Sequence, residues 1–271
     1  NLQILKEIKK FGIGADVVSK GELLIALKAG INPKKIVFSG IGKTFDEIKF
    51  AIEKNILLIN TESESEINEI EKIAKNKNKK IDIGIRLNPN INAKTLKKIS
   101  TGKNEDKFGI EELSFLKILK KFKNSKYLNI RCLSVHIGSQ ITDYRPYEKM
   151  ISVVDKIIKK SKYKFDFIDL GGGMGIKYDN KAKSLNYKKY NLIIKKFLKK
   201  HNVKIIFEPG RSIIADTAVL LTKIIYIKKN SKKNFIILDA GMNDLMRPAL
   251  YGSKHQIIPL IKNNKIISKI H

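Results

Sequence analysis

Short apolar runs alternate with longer amphipathic runs along most of the chain. The apolar runs lack strict alternation of apolar and polar residues, which is typical of strands in a parallel sheet covered on both faces. We predict seven such strands, at Gly14 to Val18, Lys35 to Phe38, Ile56 to Ile59, Ile81 to Leu87, Asn129 to Ile137, Phe165 to Leu170 and Val203 to Phe207.

The runs around these strands carry apolar residues at helical spacing. We predict helices at Leu2 to Lys10, Gly21 to Ala29, Thr44 to Glu53, Ser63 to Ala74, Glu111 to Phe122, Tyr147 to Ile158 and Tyr187 to Lys199. Repeated strand–helix units indicate a parallel sheet with helical crossovers. A (β/α)8 barrel needs eight strands, so we expect its first strand to lie before Asn1. An open doubly wound sheet is the alternative.

The pattern changes after Arg211, where strand-like runs follow one another with little helix between them. These runs are Val219 to Ile227, Asn234 to Leu238 and Gln256 to Ile261. We therefore predict an α/β barrel over residues 1–212 and the beginning of a mainly β domain over residues 213–271. The chain starts without a methionine and stops after a strand-like stretch, so we expect both ends to be truncated.

Composition narrows the class of protein. The chain has 271 residues and is 42% hydrophobic, enough for a sizeable core. No apolar run approaches the ~20 residues of a membrane helix, and no secretory signal is visible. Cys132 is the one cysteine, so we predict no disulfides, a buried thiol and a cytoplasmic location.

The formal net charge is +29. A polyanion-binding surface is one interpretation. The other is a general bias toward lysine, because the lysines are spread over many predicted helices where they form solvated faces. We favour the second interpretation, since basic stretches with interleaved aromatic residues are few, and we expect neither a specific nucleic-acid partner nor a membrane partner.

Three motifs follow strands and place polar chemistry at strand ends, which gather at one face of a parallel α/β protein. His136 precedes Gly138 and Ser139. Its imidazole suits stacking on an aromatic cofactor, base chemistry or metal binding, whereas a core histidine is the structural alternative. We predict no metal site, because the four histidines show no ligand-like spacing. The Ser139 hydroxyl suits a phosphate oxygen.

The second motif is the run Gly171 to Gly175, and the third is Glu208-Pro209-Gly210-Arg211. Consecutive glycines let backbone N–H groups approach a phosphate, although a tight turn explains them as well. A carboxylate such as Glu208 can pair with a protonated ring nitrogen. Gly210 can bring its N–H close to phosphate, and Arg211 can hold a carboxylate in bidentate fashion.

Other candidates lie elsewhere on the chain. Arg247 and Tyr251, within Met246 to Tyr251, share one face if that segment is helical and together suit an anionic substrate group. Asp16 and Arg86, on early strands, are either members of a buried ion pair or residues around the cofactor, and we favour the cofactor.

These motifs together resemble the diaminopimelate decarboxylase family, pyridoxal-phosphate enzymes with the alanine-racemase-like fold. The similarity runs from Asn1 to His271. Besides the four motifs it includes Ala15 to Leu23, Phe38 to Thr44, Arg86 to Pro89 and Lys107 to Ile110.

The resemblance implies decarboxylation of meso-2,6-diaminoheptanedioate to L-lysine, the last step of lysine biosynthesis, in a homodimer with shared active sites. His136 is expected to stack on the pyridine ring of pyridoxal 5'-phosphate, and Glu208 to pair with its nitrogen. The residues expected around the phosphate are Ser139, Gly172, Gly173, Gly210 and Arg211. Those expected to bind substrate carboxylate are Arg211, Arg247 and Tyr251.

The chain departs from the family pattern at both ends. The lysine that binds the cofactor covalently is expected upstream of Asn1, and a Cys-Glu motif that reaches the partner subunit's site is expected beyond His271. We therefore expect this chain by itself to be inactive. A decarboxylase for ornithine or arginine and a non-catalytic cofactor-binding barrel remain as alternatives.

Overall fold

The computed structural model describes residues 1–93, 102, 107–178, 184–231 and 233–260. The chain forms two compact units. The first comprises Asn1–Gly175 and Leu185–Ile213, and the second comprises Ile176–Ser184 and Ile214–His271.

The first unit is built on a parallel sheet of seven strands whose spatial order equals their order in the chain. The strands are β1 Ala15–Val17, β2 Ile36–Phe38, β3 Leu58–Thr61, β4 Ile81–Arg86, β5 Leu128–Ser134, β6 Phe167–Asp169 and β7 Lys204–Ile206. A doubly wound sheet reverses its strand order at a switch point, and this sheet has no reversal. The fold is therefore of the (β/α)8-barrel type, and the doubly wound alternative is wrong.

As the amphipathic runs predict, one α-helix in the described part of the chain precedes β1 and six connect consecutive strands. They are α1 Leu2–Lys9, α2 Lys20–Lys28, α3 Phe45–Glu53, α4 Glu64–Asn76, α5 Glu112–Phe122, α6 Arg145–Ser161 and α7 Tyr187–Leu198. Thr44 caps α3: its hydroxyl accepts from the Glu47 N–H at 3.3 Å, while the Glu47 carboxylate accepts from the Thr44 N–H at 3.0 Å. This capping box fixes where α3 begins.

Apolar side chains pack on both faces of the sheet. The larger cluster joins the outer face of the strands to the helices and includes Leu23, Phe38, Ile67 and Phe115, each buried. A smaller inner cluster consists of Val37, Leu58 and Cys132, against which Leu57, Phe167 and Ile206 pack. Cys132 is a buried free thiol, as predicted.

Two features at the carboxyl ends of the strands differ from the sequence-based expectation and matter for the site. β5 ends at Ser134, so His136 lies in the loop that follows the strand rather than within it. After β7, a short helix α8, Arg211–Ile214, starts at the last residue of the Glu208 motif. The sequence also predicts a polar, glycine-containing loop over residues 100–110, after the Arg86 strand; of these residues only 102 and 107–110 are described.

The second unit contains a two-stranded antiparallel sheet of β8 Ile224–Lys229 and β9 Asn234–Leu238, and a short helix α9 Arg247–Tyr251. The predicted strand from Val219 to Ile227 was placed too early, because Val219, Leu220 and Leu221 are apolar but exposed and unpaired with a neighbouring strand. The predicted strand from Gln256 is wrong over residues 256–260, and Ile261 lies outside the described residues.

In the part of the chain that the structure describes, no helix combines the length and apolarity needed to cross a bilayer.

Candidate active site

The inner face of the sheet changes from apolar to polar within one step along the strands. Successive side chains of a strand point to opposite faces, so residues two apart share a face. At the carboxyl ends of five strands, an inner apolar residue is followed two positions later by a polar one. The apolar residues are Val37, Leu58, Cys132, Phe167 and Ile206. The polar residues, in the same order, are Ser39, Asn60, Ser134, Asp169 and Glu208. We call these five residues the polar layer.

Asp169 is the centre of the polar layer. Its Oδ2 accepts from the Asn60 Nδ2 at 2.9 Å, and its Oδ1 accepts from the Gly171 N–H at 3.0 Å. The carboxyl of Glu208 also hydrogen-bonds to it. Asp169 has no exposed surface, so burial raises its pKa even though these hydrogen bonds oppose the shift.

Glu208 follows β7 and is half-buried. Burial raises its pKa well above the usual range, and the charges of Asp169 and Asp16 add to the effect. Two hydrogen-bonded carboxyls need a proton between them. Since Asp169 already accepts from two N–H donors, Glu208 is the member that carries the proton.

Asp16 stands at the edge of this group on β1, where its Oδ1 accepts from the Ser39 hydroxyl at 2.6 Å. Crowding by protein atoms and the charge of Asp169 raise the pKa of Asp16 to about 7, with the Ser39 hydrogen bond opposing them. The Asp16 side chain also keeps contact with solvent on this edge strand.

Arg86 contributes positive charge to the acid cluster but is held by a residue that the sequence analysis did not single out. Its Nη1 donates to Glu62 Oε1 at 2.8 Å, and Glu62 Oε2 accepts from the Gly109 N–H at 2.9 Å. Arg86 and Glu62 are both buried. The ion-pair interpretation of Arg86 is thus realised, while its charge still lowers the pKa of Asp16 and Glu208.

His136 is neutral in this setting. Burial lowers its pKa to about 4, and the nearby Arg86 charge adds to the shift. Its Nδ1 accepts a hydrogen bond from the Gly172 N–H at 3.1 Å, which assigns the ring proton to Nε2. A neutral, oriented imidazole suits stacking on an aromatic ring better than a cationic contact with phosphate.

The glycine turn after β6 is required by close packing. A Cβ on Gly172 would lie 2.0 Å from the Glu208 carbonyl oxygen, and Gly171 and Gly173 have φ angles of +64° and +86°. The turn therefore brings the His136 loop and the Glu208 strand together. The Gly172 N–H is engaged by His136, so that N–H is already committed in this structure.

The space around Gly210 is open by contrast. No atom lies within 4 Å of a Cβ built on it, and it is exposed at the start of α8. Next to it, the Arg211 Nη1 donates to Gln140 Oε1 at 3.1 Å, in the loop that also carries Ser139. The structure thus brings together Ser139, Gly210 and Arg211 at the rim of the first unit.

Arg247 and Tyr251 lie in the second unit, on α9. The Arg247 guanidinium lies over the Tyr251 ring at 5.4 Å, and its Nη2 donates to the Tyr178 hydroxyl at 3.2 Å. The expectation that these two side chains share a helical face is confirmed.

Lys43 is a buried lysine near the polar layer. Its ammonium donates to the Glu66 carboxylate at 2.7 Å and to the backbone oxygens of Asn60 and Gly40. Three acceptors match the three N–H bonds of an ammonium, so Lys43 is committed to the fold. The described residues contain no cluster of His, Cys, Asp and Glu suited to a metal ion.

Sequence reasoning missed Asn60, Asp169, Ser39 and Glu62. Each is a polar residue at or just after the carboxyl end of an apolar strand. Ser39, Asn60 and Asp169 lie two positions after an inner apolar residue, and Glu62 lies two positions after Asn60. That spacing is a signal which the sequence carries. The pairing of Glu208 with Asp169 has no such signal, because it joins the ends of two different strands.

The arrangement fits a flat aromatic group with a protonated ring nitrogen and an anionic arm. Among the described residues, Asp16 and Asp169 lie near a single cation, Arg86, which is itself paired with Glu62. The acids can therefore accept one more positive group. A neutral ring at His136 and open space over Gly210 beside Arg211 suit a planar ring and a phosphate respectively.

Comparison with known proteins agrees with this chemistry. Residues 1–215 match the family model described as pyridoxal-dependent decarboxylase, pyridoxal binding domain. The chain is 43% identical to diaminopimelate decarboxylase of Zymomonas mobilis, covering 94% of this chain and 61% of that protein. It is 45% identical to the enzyme of Helicobacter pylori strain J99, covering 95% and 64%.

Solved structures give the same picture. A point mutant of Helicobacter pylori diaminopimelate decarboxylase in complex with L-lysine superposes with a TM-score of 0.94 at 43% identity, covering 97% of this chain and 67% of that one. Lysine decarboxylase of Selenomonas ruminantium, at 22% identity and a TM-score of 0.80, covers 93% and 64% and shares the fold. The chain spans 61 to 64% of the length of these two curated relatives.

Proposed function

Since the chain belongs to the pyridoxal-dependent decarboxylase family, we propose that the intact protein decarboxylates meso-2,6-diaminoheptanedioate to L-lysine. The supporting observation is 43 to 45% identity to diaminopimelate decarboxylases over nearly the whole chain, together with a polar layer that suits the cofactor. One lysine decarboxylase and one arginine decarboxylase of similar fold are each 22% identical to this chain.

We propose that pyridoxal 5'-phosphate binds at the carboxyl ends of β5, β6 and β7. His136 would stack on the ring, and Glu208 would pair with the ring nitrogen. Asp16 and Arg86 would set the charge beneath the ring. The phosphate would lie among Ser139, Gly172, Gly173, Gly210 and Arg211, with Gly210 offering the open approach. Gly172 would lie near the phosphate without donating to it, because its N–H is bonded to His136.

When bound, the cofactor supplies an electron sink for the pair of electrons left behind as CO₂ departs. Glu208 would hold a proton at the ring nitrogen and so deepen that sink. His136, neutral and fixed through its Nδ1, would hold the ring flat without adding a competing positive charge. The buried inner apolar cluster beneath the polar layer would exclude water from one side of the site.

The substrate differs from its product by one carboxylate, and it carries a second carboxylate at its far end. We propose that Arg211, Arg247 and Tyr251 bind substrate carboxylate. Arg247 is pre-oriented by Tyr178 and Tyr251, which reduces the entropy lost when a planar guanidinium binds a carboxylate.

We also propose a homodimer with shared active sites, supported by the family resemblance, and a cytoplasmic location, consistent with the unpaired thiol of Cys132. We take residues 1–212 as the cofactor-binding domain and residues 213–271 as part of a mainly β domain. Sedimentation of the intact protein should give a dimer, and a mixture of two variants inactive in different domains should recover activity.

The activity is tested by offering the intact protein, loaded with pyridoxal phosphate, meso-diaminopimelate, ornithine and arginine in separate reactions. We expect CO₂ and L-lysine from diaminopimelate alone. The Glu208→Gln variant, which lacks the carboxyl proposed to pair with the ring nitrogen, gives the background level of CO₂ release. CO₂ from ornithine or arginine alone would assign the alternative substrate, and binding of cofactor without CO₂ from any of the three would indicate a non-catalytic barrel.

A further inference from the structure

The carboxyl of Asp169 is buried and held by hydrogen bonds, and yet the function proposed above gives it no role. Asp169 has no exposed surface, and no basic side chain in the described part of the chain lies within ion-pair distance of it. Burying a carboxylate without a cation is costly. Such a group beside a candidate site is itself a candidate for a functional role.

The anchoring of Asp169 fixes the direction of its carboxylate. Asn60 Nδ2 donates to Oδ2 at 2.9 Å and the Gly171 N–H donates to Oδ1 at 3.0 Å, while the Ser134 hydroxyl is 3.5 Å from Oδ2. The donors come from three different segments of the chain. Together they stabilise the charged form of Asp169.

Asn60 is itself held so that its amide nitrogen faces Asp169. Its backbone oxygen accepts from Lys43 at 2.7 Å, and the side-chain oxygen packs against Gly84, where a Cβ would lie 2.0 Å away. Turning the amide over would set its oxygen against the Asp169 carboxylate, which is repulsive. The packing at Gly84 therefore serves the contact between Asn60 and Asp169.

The remaining partner of Asp169 is Glu208, which donates the hydrogen bond between the two carboxyls. Glu208 is also tied by its backbone, since its N–H donates to the Gly171 carbonyl at 2.9 Å. The charged and titratable groups that face this pair are Asp16, Arg86, Cys132 and His136. Of these, only Arg86 is cationic.

We propose that Asp169, held by Asn60, is a positioning residue that orients the Glu208 carboxyl and keeps it protonated until it meets the ring nitrogen of the cofactor. This inference rests on the proposed function. On docking, the Glu208 O–H bond breaks and an N–H bond forms at the ring nitrogen, so the proton comes from the protein and the atoms balance. The Asp169 charge then lies one carboxyl away from the protonated ring and stabilises it.

The first test uses the intact protein without cofactor. Difference infrared spectroscopy across a pH titration follows the carbonyl stretch of protonated carboxyls. We expect the wild type to show a protonated carboxyl at neutral pH that is absent in Glu208→Gln. In Asp169→Asn the midpoint should fall by about one pH unit or more, a tenfold loss in proton affinity, because the neighbouring negative charge is gone.

Asn60→Ala is a second variant, for which we expect the titration midpoint to shift in the opposite direction. Removing a donor to the Asp169 carboxylate raises the proton affinity of the pair, so the midpoint should rise. A merely structural role for Asp169 predicts no such pair of opposite shifts. Asp166→Asn is the matched control, because Asp166 is an exposed aspartate three residues earlier that pairs with Arg131, and its midpoint should equal that of the wild type.

The second test repeats the titration with pyridoxal phosphate bound, following the absorbance change that reports protonation of the ring. Asp169→Asn should lower that midpoint while Asp166→Asn leaves it unchanged. Unchanged midpoints in Asp169→Asn, without and with cofactor, would overturn the inference. If the wild type binds no pyridoxal phosphate, the proposed function fails, and the cofactor-free titration still decides the role of Asp169.

Discussion

At the scale of single residues, the site depends on where polar groups replace apolar ones on the inner face of the sheet. In each of five strands, the residue of the polar layer lies two positions after a residue of the inner apolar cluster. The consequence is a set of acids with raised pKa values, among them Glu208 and Asp169, next to the inner apolar cluster. In that environment small changes in charge or space have large effects.

Gly210→Ala tests the proposed phosphate contact. The space around Gly210 is open and its φ is ordinary, so the free energy of unfolding should change by less than about 0.5 kcal/mol. The Kd for pyridoxal phosphate, measured by fluorescence titration, should nevertheless rise about tenfold or more, about 1.4 kcal/mol, because the new methyl group occupies the ligand's space. Gly42→Ala, also in open space, is the control; equal affinities for the two variants would contradict the contact.

His136→Gln tests the neutral imidazole through pH-dependent stability. Between pH 6.5 and about 4 the unfolded state binds a proton at His136 that the native state does not, so the wild type loses stability as the pH falls through this window. The loss is up to about 3 kcal/mol at 1.36 kcal/mol for each pH unit. The variant should lack this slope in urea unfolding, while the acids with raised pKa values cancel between the two proteins. If the stability of the wild type and of the variant changed in parallel with pH, the pKa of His136 would be the same in the folded and the unfolded state.

Arg247→Ala tests the substrate role of the second unit. Losing a hydrogen bond from a charged group to a carboxylate costs about 1.5–3 kcal/mol, so the KM for diaminopimelate should rise roughly 10- to 100-fold with kcat nearly unchanged. Steady-state CO₂ release provides the measurement. Arg145→Ala, which removes an exposed arginine paired with Asp143, should leave KM at the wild-type value. An unchanged KM in Arg247→Ala would remove Arg247 from the substrate site.

At the scale of elements, loops that follow the strands are tied to the helices next to them by buried polar contacts. Lys43, just before α3, reaches Glu66 on α4 and the backbone of Asn60 on β3. Glu66 Oε2 in turn accepts from the Glu62 N–H at 2.8 Å. These contacts connect β3 and α4 to Glu62, which pairs with Arg86.

Lys43→Met tests this connection. The Lys43 side chain is 1% exposed and its partner Glu66 10%, so removing the lysine leaves a buried acid unpaired and should cost about 3–5 kcal/mol. Lys72→Met, which breaks an exposed pair with Glu69, should cost less than about 1 kcal/mol. Urea unfolding of both variants provides the comparison, and similar midpoints would show that the buried pair contributes no more than a surface one.

At the scale of the whole molecule, charge is the dominant global property. The net charge of +29 is carried by lysines along the helices, several of which pair with neighbouring acids, as Lys160 does with Glu112. A solvated charge of this kind attracts anions without providing a shaped surface for them.

We therefore expect weak and salt-sensitive binding to DNA. The Kd for a duplex should lie in the nonspecific range of about 10⁻⁴–10⁻⁶ M at physiological salt and should weaken steeply as salt is raised. Fluorescence anisotropy of a labelled duplex at two salt concentrations measures this. Tight binding that persists at physiological salt would instead favour a nucleic-acid partner.

Local sequence features were enough to predict the architecture of the first unit and the segments that form its site. Apolar runs, capping residues such as Thr44 and repeated strand–helix units are local features, because they depend on the few residues around them. Glycines at Gly171 to Gly173, the imidazole at His136 and the Glu208 motif were recognisable for the same reason. The strands beyond Val219 were misplaced, since apolarity alone does not say whether a run finds a partner strand.

Which polar groups face one another became clear only from the assembled fold. Asp169 and Glu208 lie on different strands, Arg86 is held by Glu62, and the Gly172 N–H is engaged by His136. Such contacts depend on register and curvature across the sheet, which no local pattern fixes. The protonation of the acids follows from those contacts and from burial, so the chemistry of the site emerges only when the strands are assembled.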